Sequence, residues 1–266
     1  MTYKALDLIT FNIVAIKEFF PRGYTARAAG SSEVLLSHES NRNAFAHWLT
    51  AFAKEAKILA SVKGLHGVVK LSDSFKQNNT AYIVTDFLDG ISLRAHINAQ
   101  GGRLNYREAL AISRPMLDSL YVIHNHGVIH KDISPENVMI VRNSCVKLID
   151  FGAASAFRNP SEKPYIVLKT GYSPIELYDN RYKLGPWTDI YQAAATLYNA
   201  ITGELPPEPQ ARMQNDTLLR PSALGIQMPL IIENTLLKAL NIEPQFRFQT
   251  MLPLIQTLYN ESIPRF

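Results

Sequence analysis

The chain has 266 residues, 47% of them apolar and 19% charged, with a net charge of +4. That composition excludes a disordered or low-complexity chain, and the length suits one large domain or two lobes with substantial cores. The small surplus of Lys and Arg has no basic block behind it, which describes a solvated surface and not a nucleic-acid-binding one.

One cysteine, Cys145, rules out an internal disulfide and fits a reducing compartment. No run approaches the roughly eighteen apolar residues of a membrane span. The N-terminal segment carries Lys4, Asp7, Lys17 and Glu18 where a signal peptide needs an apolar core, so a cytoplasmic chain is expected.

In chain order, Tyr3–Asp7 and Phe11–Lys17 read as two short strands joined by a tight connection. The polar stretch from Pro21 to Arg42, with Gly and Ser in it, reads as a surface insertion, and Asn43–Val62 as a helix. Val68–Phe75 and Thr80–Asp86 form a predicted hairpin turning at Lys76-Gln77-Asn78-Asn79. Arg107–His126 has apolar residues at helical spacing. Val138–Val141 and Val146–Ile149 read as strands around a turn at Arg142-Asn143-Ser144-Cys145. Asp189–Thr202 is apolar on almost every side, as a buried helix is, and Leu230–Leu240 and Met251–Tyr259 read as closing helices. The expected fold class is α+β. A small antiparallel-sheet lobe with one main helix would join a larger, mainly helical lobe near residues 86 to 90.

Several residues carry chemistry. Trp48, Phe52, Glu55, Leu59 and Val62 share one helix face, so Glu55 is a carboxylate inside an apolar stripe and needs a cation to offset desolvation. Pairing with Lys54 or Lys57 at the surface is the plain alternative; the stripe favours Lys17, which ends the strand Val14-Ala15-Ile16-Lys17 on the same face as Ala15. Asp132 could serve only as a turn cap. It precedes Asn137 by five residues, and Asp150, at the end of the next strand pair, is followed by Phe151 and Gly152. Carboxylate, amide and carboxylate in that order suit a site for a hard cation and phosphate.

The order His130-Lys131-Asp132-Ile133-Ser134-Pro135-Glu136-Asn137, then Asp150-Phe151-Gly152, resembles the catalytic loop and metal-binding turn of protein kinases. Val14-Ala15-Ile16-Lys17 resembles the strand whose Lys contacts nucleotide phosphates and is braced by a helix Glu. Gly171-Tyr172-Ser173-Pro174-Ile175-Glu176 resembles the end of an activation segment. Trp187-Thr188-Asp189-Ile190-Tyr191 looks like the helix start whose Asp holds the catalytic-loop backbone, and Arg247 stands where an Arg pairs with the segment's Glu, here Glu176.

The chain thus resembles the eukaryotic-type serine/threonine protein kinases, bacterial members most closely, from about Tyr3 to Tyr259. The resemblance implies a protein-kinase-like bilobal fold and one kinase domain over residues 1–266, with an N-lobe over 1–88 and a C-lobe over 89–266. It implies ATP and Mg²⁺, a protein substrate, Asp132 as catalytic base, Lys17 braced by Glu55 on the phosphates, and Asn137 and Asp150 on the metal. Backbone groups of Asp86 and Leu88, after the hinge-adjacent Thr85, would meet adenine, with Ala15 and Met139 above and below its ring.

The pattern has departures. Met1-Thr2-Tyr3-Lys4-Ala5 looks like the strand after the family's glycine-rich loop, so that loop is not in the sequence. A late start, a pseudokinase that binds nucleotide or partners with little turnover, or a partner that supplies the roof would each account for it. Lys131 replaces the usual Arg, a point charge in place of a bidentate fork, which puts control through the activation segment in question. Ser134 stands where a Lys on the γ-phosphate is usual, which removes one cation, and Lys169 stands near the place of a specificity-associated Thr. Ser155, Ser161, Tyr165 and Thr170 fall in the activation segment, none marked for phosphorylation. A small-molecule phosphotransferase is disfavoured, because Gly171–Glu176, Asp189 and Arg247 build a peptide platform that such an enzyme does not need.

Overall fold

Alternation of side chains along short β-branched segments builds the first part of the chain as a sheet. In the computed structural model, which describes residues 1–142, 145–157 and 166–259, β1 (Thr2–Leu6) and β2 (Ile13–Glu18) pair antiparallel. Phe11 and Asn12, expected in the second strand, belong to the turn instead: the Asp7 carboxylate accepts the Ile9 and Thr10 N–H groups, and Phe11 lies at φ +55°. Such an Asx-type turn holds six residues without any glycine.

The stretch expected as a surface insertion contains a small hairpin, β3 (Thr25–Ala26) with β4 (Leu35–Leu36). Val34 beside it is buried and donates its N–H to the Asn78 carbonyl, so this segment is stitched to the sheet. Helix α1 (Arg42–Ser61), rich in Ala and free of Gly and Pro, follows as its propensity demands. The hairpin strand expected from Val68 begins at Leu71: β5 (Leu71–Gln77) meets β6 (Thr80–Asp86) with a register shift between Leu71 and Asp73. Its turn is tighter than expected. Only Asn78 and Asn79 are unpaired, at φ 54° and 57°, the left-handed pair a two-residue hairpin requires of Asn or Gly. The sheet order is β1-β2-β6-β5, and Phe19 packs on Phe45 and Phe52 of α1 at ring distances of 5.2 and 5.5 Å.

The remainder is mainly helical. Strand β7 (Gly90–Ser92) leads directly into α2 (Leu93–Ala99), whose Ala95 N–H is capped by Ser92 Oγ. Asn105 caps α3 (Tyr106–Asn125) in the same way, accepting the Glu108 N–H, and its side-chain NH₂ donates to the Glu108 carboxylate at 3.3 Å. Then come β8 (Val128–Ile129), β9 (Val138–Val141), β10 (Cys145–Leu148) and β11 (Ser155–Ala156). β10, β9 and β7 form one antiparallel sheet, and β8 and β11 another. Gly90 is obligatory: a Cβ there would lie 2.1 Å from the Ile140 carbonyl oxygen. The last elements are α4 (Ile175–Tyr178), α5 (Pro186–Thr202), α6 (Pro209–Gln214), α7 (Leu230–Ala239) and α8 (Met251–Tyr259). α5 starts at Pro186, ahead of the expected Asp189, because proline suits the first helical turn. The turn residues Asn143 and Ser144, and Ser161 and Tyr165, lie outside the described residues.

Two compact units result, Met1–Gly64 with Val68–Asp89, and Leu65–Gly67 with Gly90 onward. The architecture is α+β, an antiparallel sheet with one main helix and a mainly helical unit. Among the described residues, no helix is long and apolar enough to cross a membrane.

One buried ion pair fastens the helical unit. Arg247 Nη1 and Nη2 donate to the Glu176 oxygens at 2.7 and 3.1 Å, with neither side chain exposed. Its other N–H groups go to the carbonyls of Asn241, Trp187 and Ile242, so the guanidinium's five donors are all placed. A lysine cannot copy that fork. Arg247→Lys is therefore expected to cost about 3–5 kcal/mol in urea unfolding; a loss below about 1 kcal/mol would show the pair to be dispensable.

Candidate active site

On the sheet-bearing unit, Lys17 Nζ donates to both Glu55 oxygens at 2.9 Å. Glu55 is 4% exposed, set in the apolar face of α1 with Leu59 and Val62, so the ammonium offsets the desolvation of a carboxylate the packing has buried. Lys17 keeps a third of its surface open. Ala15 lies on the same β2 face, paired with Thr85. Asp86 ends β6 with its N–H spent on the Lys70 carbonyl at 3.1 Å, and Leu88 follows, half-buried.

Sequence reasoning missed the neighbour on the opposite face. Glu18 is buried and accepts the Tyr3 and Tyr82 hydroxyls, each at 2.8 Å, together with the Arg27 guanidinium. Burial pushes its carboxyl pKa up, but these three donors outweigh it and hold the group below the ordinary range. The alternation of β2 puts Glu18 on the face away from Lys17, and its partners are too distant in sequence to be read.

On the helical unit, one turn of α5 grips the loop that bears Asp132. Asp189 Oδ2 accepts the His130 N–H and His124 Nε2–H, and Oδ1 accepts the Lys131 N–H, all at 2.8 Å. Gln192, one turn on, accepts the Ile133 N–H at 3.1 Å and donates to the Lys131 carbonyl at 2.9 Å. Asp189 is wholly buried; desolvation raises its pKa, yet the bonds from His124 and His130 prevail and the carboxyl stays low. That scaffold holds Lys131 at φ +65°, a left-handed conformation unfavourable for a non-glycine residue.

The candidate groups hang from this frame. His130 Nε2 donates to the Ile149 carbonyl at 3.1 Å, and its Nδ1 accepts the Asp132 N–H at 3.3 Å. Asn137 Nδ2 donates to both the Asp132 carbonyl at 2.8 Å and Asp132 Oδ2 at 2.7 Å. Burial raises the Asp132 pKa above its usual value, and the Asp150 charge adds to it against the pull of His130, Lys169 and Asn137. The Ile149 N–H donates to the Asn137 carbonyl at 3.0 Å, which ties the two segments together. Phe151 is fully buried against the His130 ring, 4.6 Å between centroids, while Asp150, at φ +60°, is exposed. Met139 sits half-buried on β9, opposite Lys147 and Ser92.

With Nδ2 committed to Asp132, Asn137 has its Oδ1 left for a cation, and Asp150 offers a carboxylate. An amide and a carboxylate oxygen suit magnesium, which keeps several waters and takes phosphate oxygens as ligands. Among the described residues no group of three or more His, Cys, Asp and Glu gathers, so a closed all-protein metal cage is not what this donor set makes.

A second missed feature lies beside Asp132. Lys169 Nζ donates to Ser134 Oγ at 2.6 Å and lies 2.9 Å from Glu136 Oε2. Arg94 holds Glu136 from the other side at 2.8 Å and also donates to Asn199 and the Tyr172 hydroxyl. Burial raises the Glu136 pKa, but Arg94 and Lys169 overcome this and lower it to about 2. The departures at 134 and 169, taken separately in the sequence, are two ends of one hydrogen bond.

A carboxylate-braced lysine on one sheet, an α5-held loop bearing Asp132 and Asn137, and Asp150 just beyond β10 are the arrangement of the protein kinase fold. The protein kinase domain model matches residues 24–245, and the chain belongs to that family. It is 28% identical over 201 residues to the probable serine/threonine-protein kinase PknB of Lactococcus lactis, covering 72% of this chain and 31% of that protein. A probable serine/threonine-protein kinase of Clostridium acetobutylicum is 23% identical over 268 residues, covering 98% and 37%. The solved structure titled PpkA-294 apo form superposes with a TM-score of 0.82 at 30% identity over 97% of this chain and 90% of that one. The chain thus spans about a third of the length of the curated relatives it matches.

Asp189→Asn replaces one of the carboxylate's acceptor oxygens with an NH₂ donor facing a backbone N–H. Hydrogen exchange at the His130 and Lys131 amides is expected to speed up by about 10- to 100-fold, the equivalent of about 1.5–3 kcal/mol. Unchanged protection would mean that the loop is held by other means.

Proposed function

We propose that this domain transfers the γ-phosphoryl group of ATP to a Ser or Thr hydroxyl of a protein substrate. The observation that carries the reading is the loop geometry: Asp132, held through Asn137 and a backbone clamped by Asp189, presents a basic oxygen at a fixed place. The substrate hydroxyl oxygen bonds to the γ-phosphorus as the bond from that phosphorus to the β,γ-bridging oxygen breaks, and ADP departs. The hydroxyl proton passes to the Asp132 carboxylate. The raised pKa of Asp132 makes it a better proton acceptor than an exposed aspartate.

Roles follow unit by unit. On the first, Lys17, oriented by Glu55, is assigned to the phosphates, Ala15 and Leu88 to adenine, and Asp86 through its carbonyl, since its N–H is already bonded. On the second, Met139 is assigned to adenine, and Asn137 and Asp150 to magnesium, which when bound would neutralise phosphate charge.

The test incubates the chain with Mg²⁺, labelled ATP and mixed Ser, Thr and Tyr peptides beside Asp132→Asn. Label is expected on Ser or Thr from the wild type, falling by about 10²- to 10⁴-fold in the variant. Transfer unchanged by the substitution would overturn the assignment.

A further inference from the structure

Between Asp132 and Asn137 the loop reads Ile-Ser-Pro-Glu, with no cation of its own. One is nevertheless delivered there from far along the chain. Lys169 is set in a closed turn: its carbonyl accepts the Tyr172 and Ser173 N–H groups at 3.0 and 2.9 Å, and its own N–H donates to Ser173 Oγ at 2.7 Å. Its side chain then reaches Ser134, a wholly buried residue two positions from Asp132. Glu136, itself fixed by Arg94, fixes the ammonium from the other side. Ser134 takes one of the ammonium's three donors, and the Glu136 carboxylate stands 2.9 Å from it as a counter-charge.

We propose that Lys169 is the transition-state cation of this domain, supplied by the activation segment to the transferring phosphoryl group and steered by Ser134 and Glu136. The inference rests on the kinase reading. Negative charge on a transferring phosphoryl spreads over its equatorial oxygens, and a preorganised cation nearby lowers the barrier more than it aids ground-state binding. A segment that carries this ammonium would also make turnover depend on its own folded position: with residues near 169 displaced, Asp132 and Asn137 would remain, but the cation would be gone.

A simple clamp is the competing role for Lys169, and three variants separate the two. Lys169→Met removes the charge, Lys169→Arg keeps it, and the double variant Ser134→Lys with Lys169→Thr exchanges ammonium and hydroxyl across the same hydrogen bond. Turnover is measured for each, and calorimetry compares Mg·ADP alone with Mg·ADP plus aluminium fluoride, a mimic of the phosphoryl group in flight. Lys169→Met is expected to lower kcat by about 10²- to 10³-fold, with the KM for ATP within about threefold, and to lose the preference for the aluminium fluoride complex. The exchanged variant is expected to recover at least about tenfold of that loss. Lys169→Met within about threefold of wild-type kcat, an exchanged variant no better than it, or an undiminished aluminium fluoride preference each overturns the proposal. The binding arm needs no turnover. Failure of Asp132→Asn to affect transfer would count against the kinase reading, whereas loss of activity in Asp132→Asn but not in Lys169→Met would sink only the role of Lys169.

Discussion

The helical unit and its Asp132 loop depend on one buried carboxylate. Asp189 has no exposed surface and is surrounded by the start of α5, yet it remains ionised because two backbone N–H groups and a histidine N–H point at it. Taking a carboxylate out of water is costly unless donors replace its hydration, and here the donors are the backbone of the loop that must be held. The dependence is mutual. The loop accepts a left-handed lysine because Asp189 fixes the two amides that lead into it and Gln192 fixes the carbonyl that follows, and the Asp189 carboxyl stays low because the loop adopts that shape. Asp132, Asn137 and Phe151 are positioned through this arrangement, with His130 as the joint between backbone and core.

Much of this was legible because the signals were local or periodic. Glu55 announced itself as a carboxylate at a helical position reserved for apolar residues, and a strand lysine was the natural counter-ion; the two meet at 2.9 Å. The buried helix at 189–202 was visible in its continuous apolar run. Element ends were less so. Phe11 looked like a strand residue because it is aromatic, but the Asp7 turn claims it, and Gln77 looked like a turn residue although two asparagines already close the hairpin. Short elements such as β7 and α2 carry too few residues for a period to show, and only the Ser92 cap marks their junction.

What the sequence concealed is chiefly pairing over long separations. Lys169 and Ser134 lie 35 positions apart, and Arg94 meets Asn199 across 105. No spacing rule connects such residues; only the fold does. Ser134 read as the loss of a cation, and Lys169 as a substitution near the place of a specificity-associated Thr. In three dimensions the Ser134 hydroxyl and the Lys169 ammonium face one another at 2.6 Å.

Strand β2 places Lys17 and Glu18 side by side in sequence and on opposite faces of the sheet, one toward Glu55, the other toward Tyr3, Tyr82 and Arg27. A slip of one residue in the pairing of β2 would exchange those faces. Glu18 would then confront Glu55, carboxylate against carboxylate, and Lys17 would be thrust beside Arg27. Both mismatches repel in a weakly polar surrounding, so the misaligned sheet is penalised twice over. The adjacent pair therefore favours the native register over the shifted one once α1 and the β3 segment pack on the sheet.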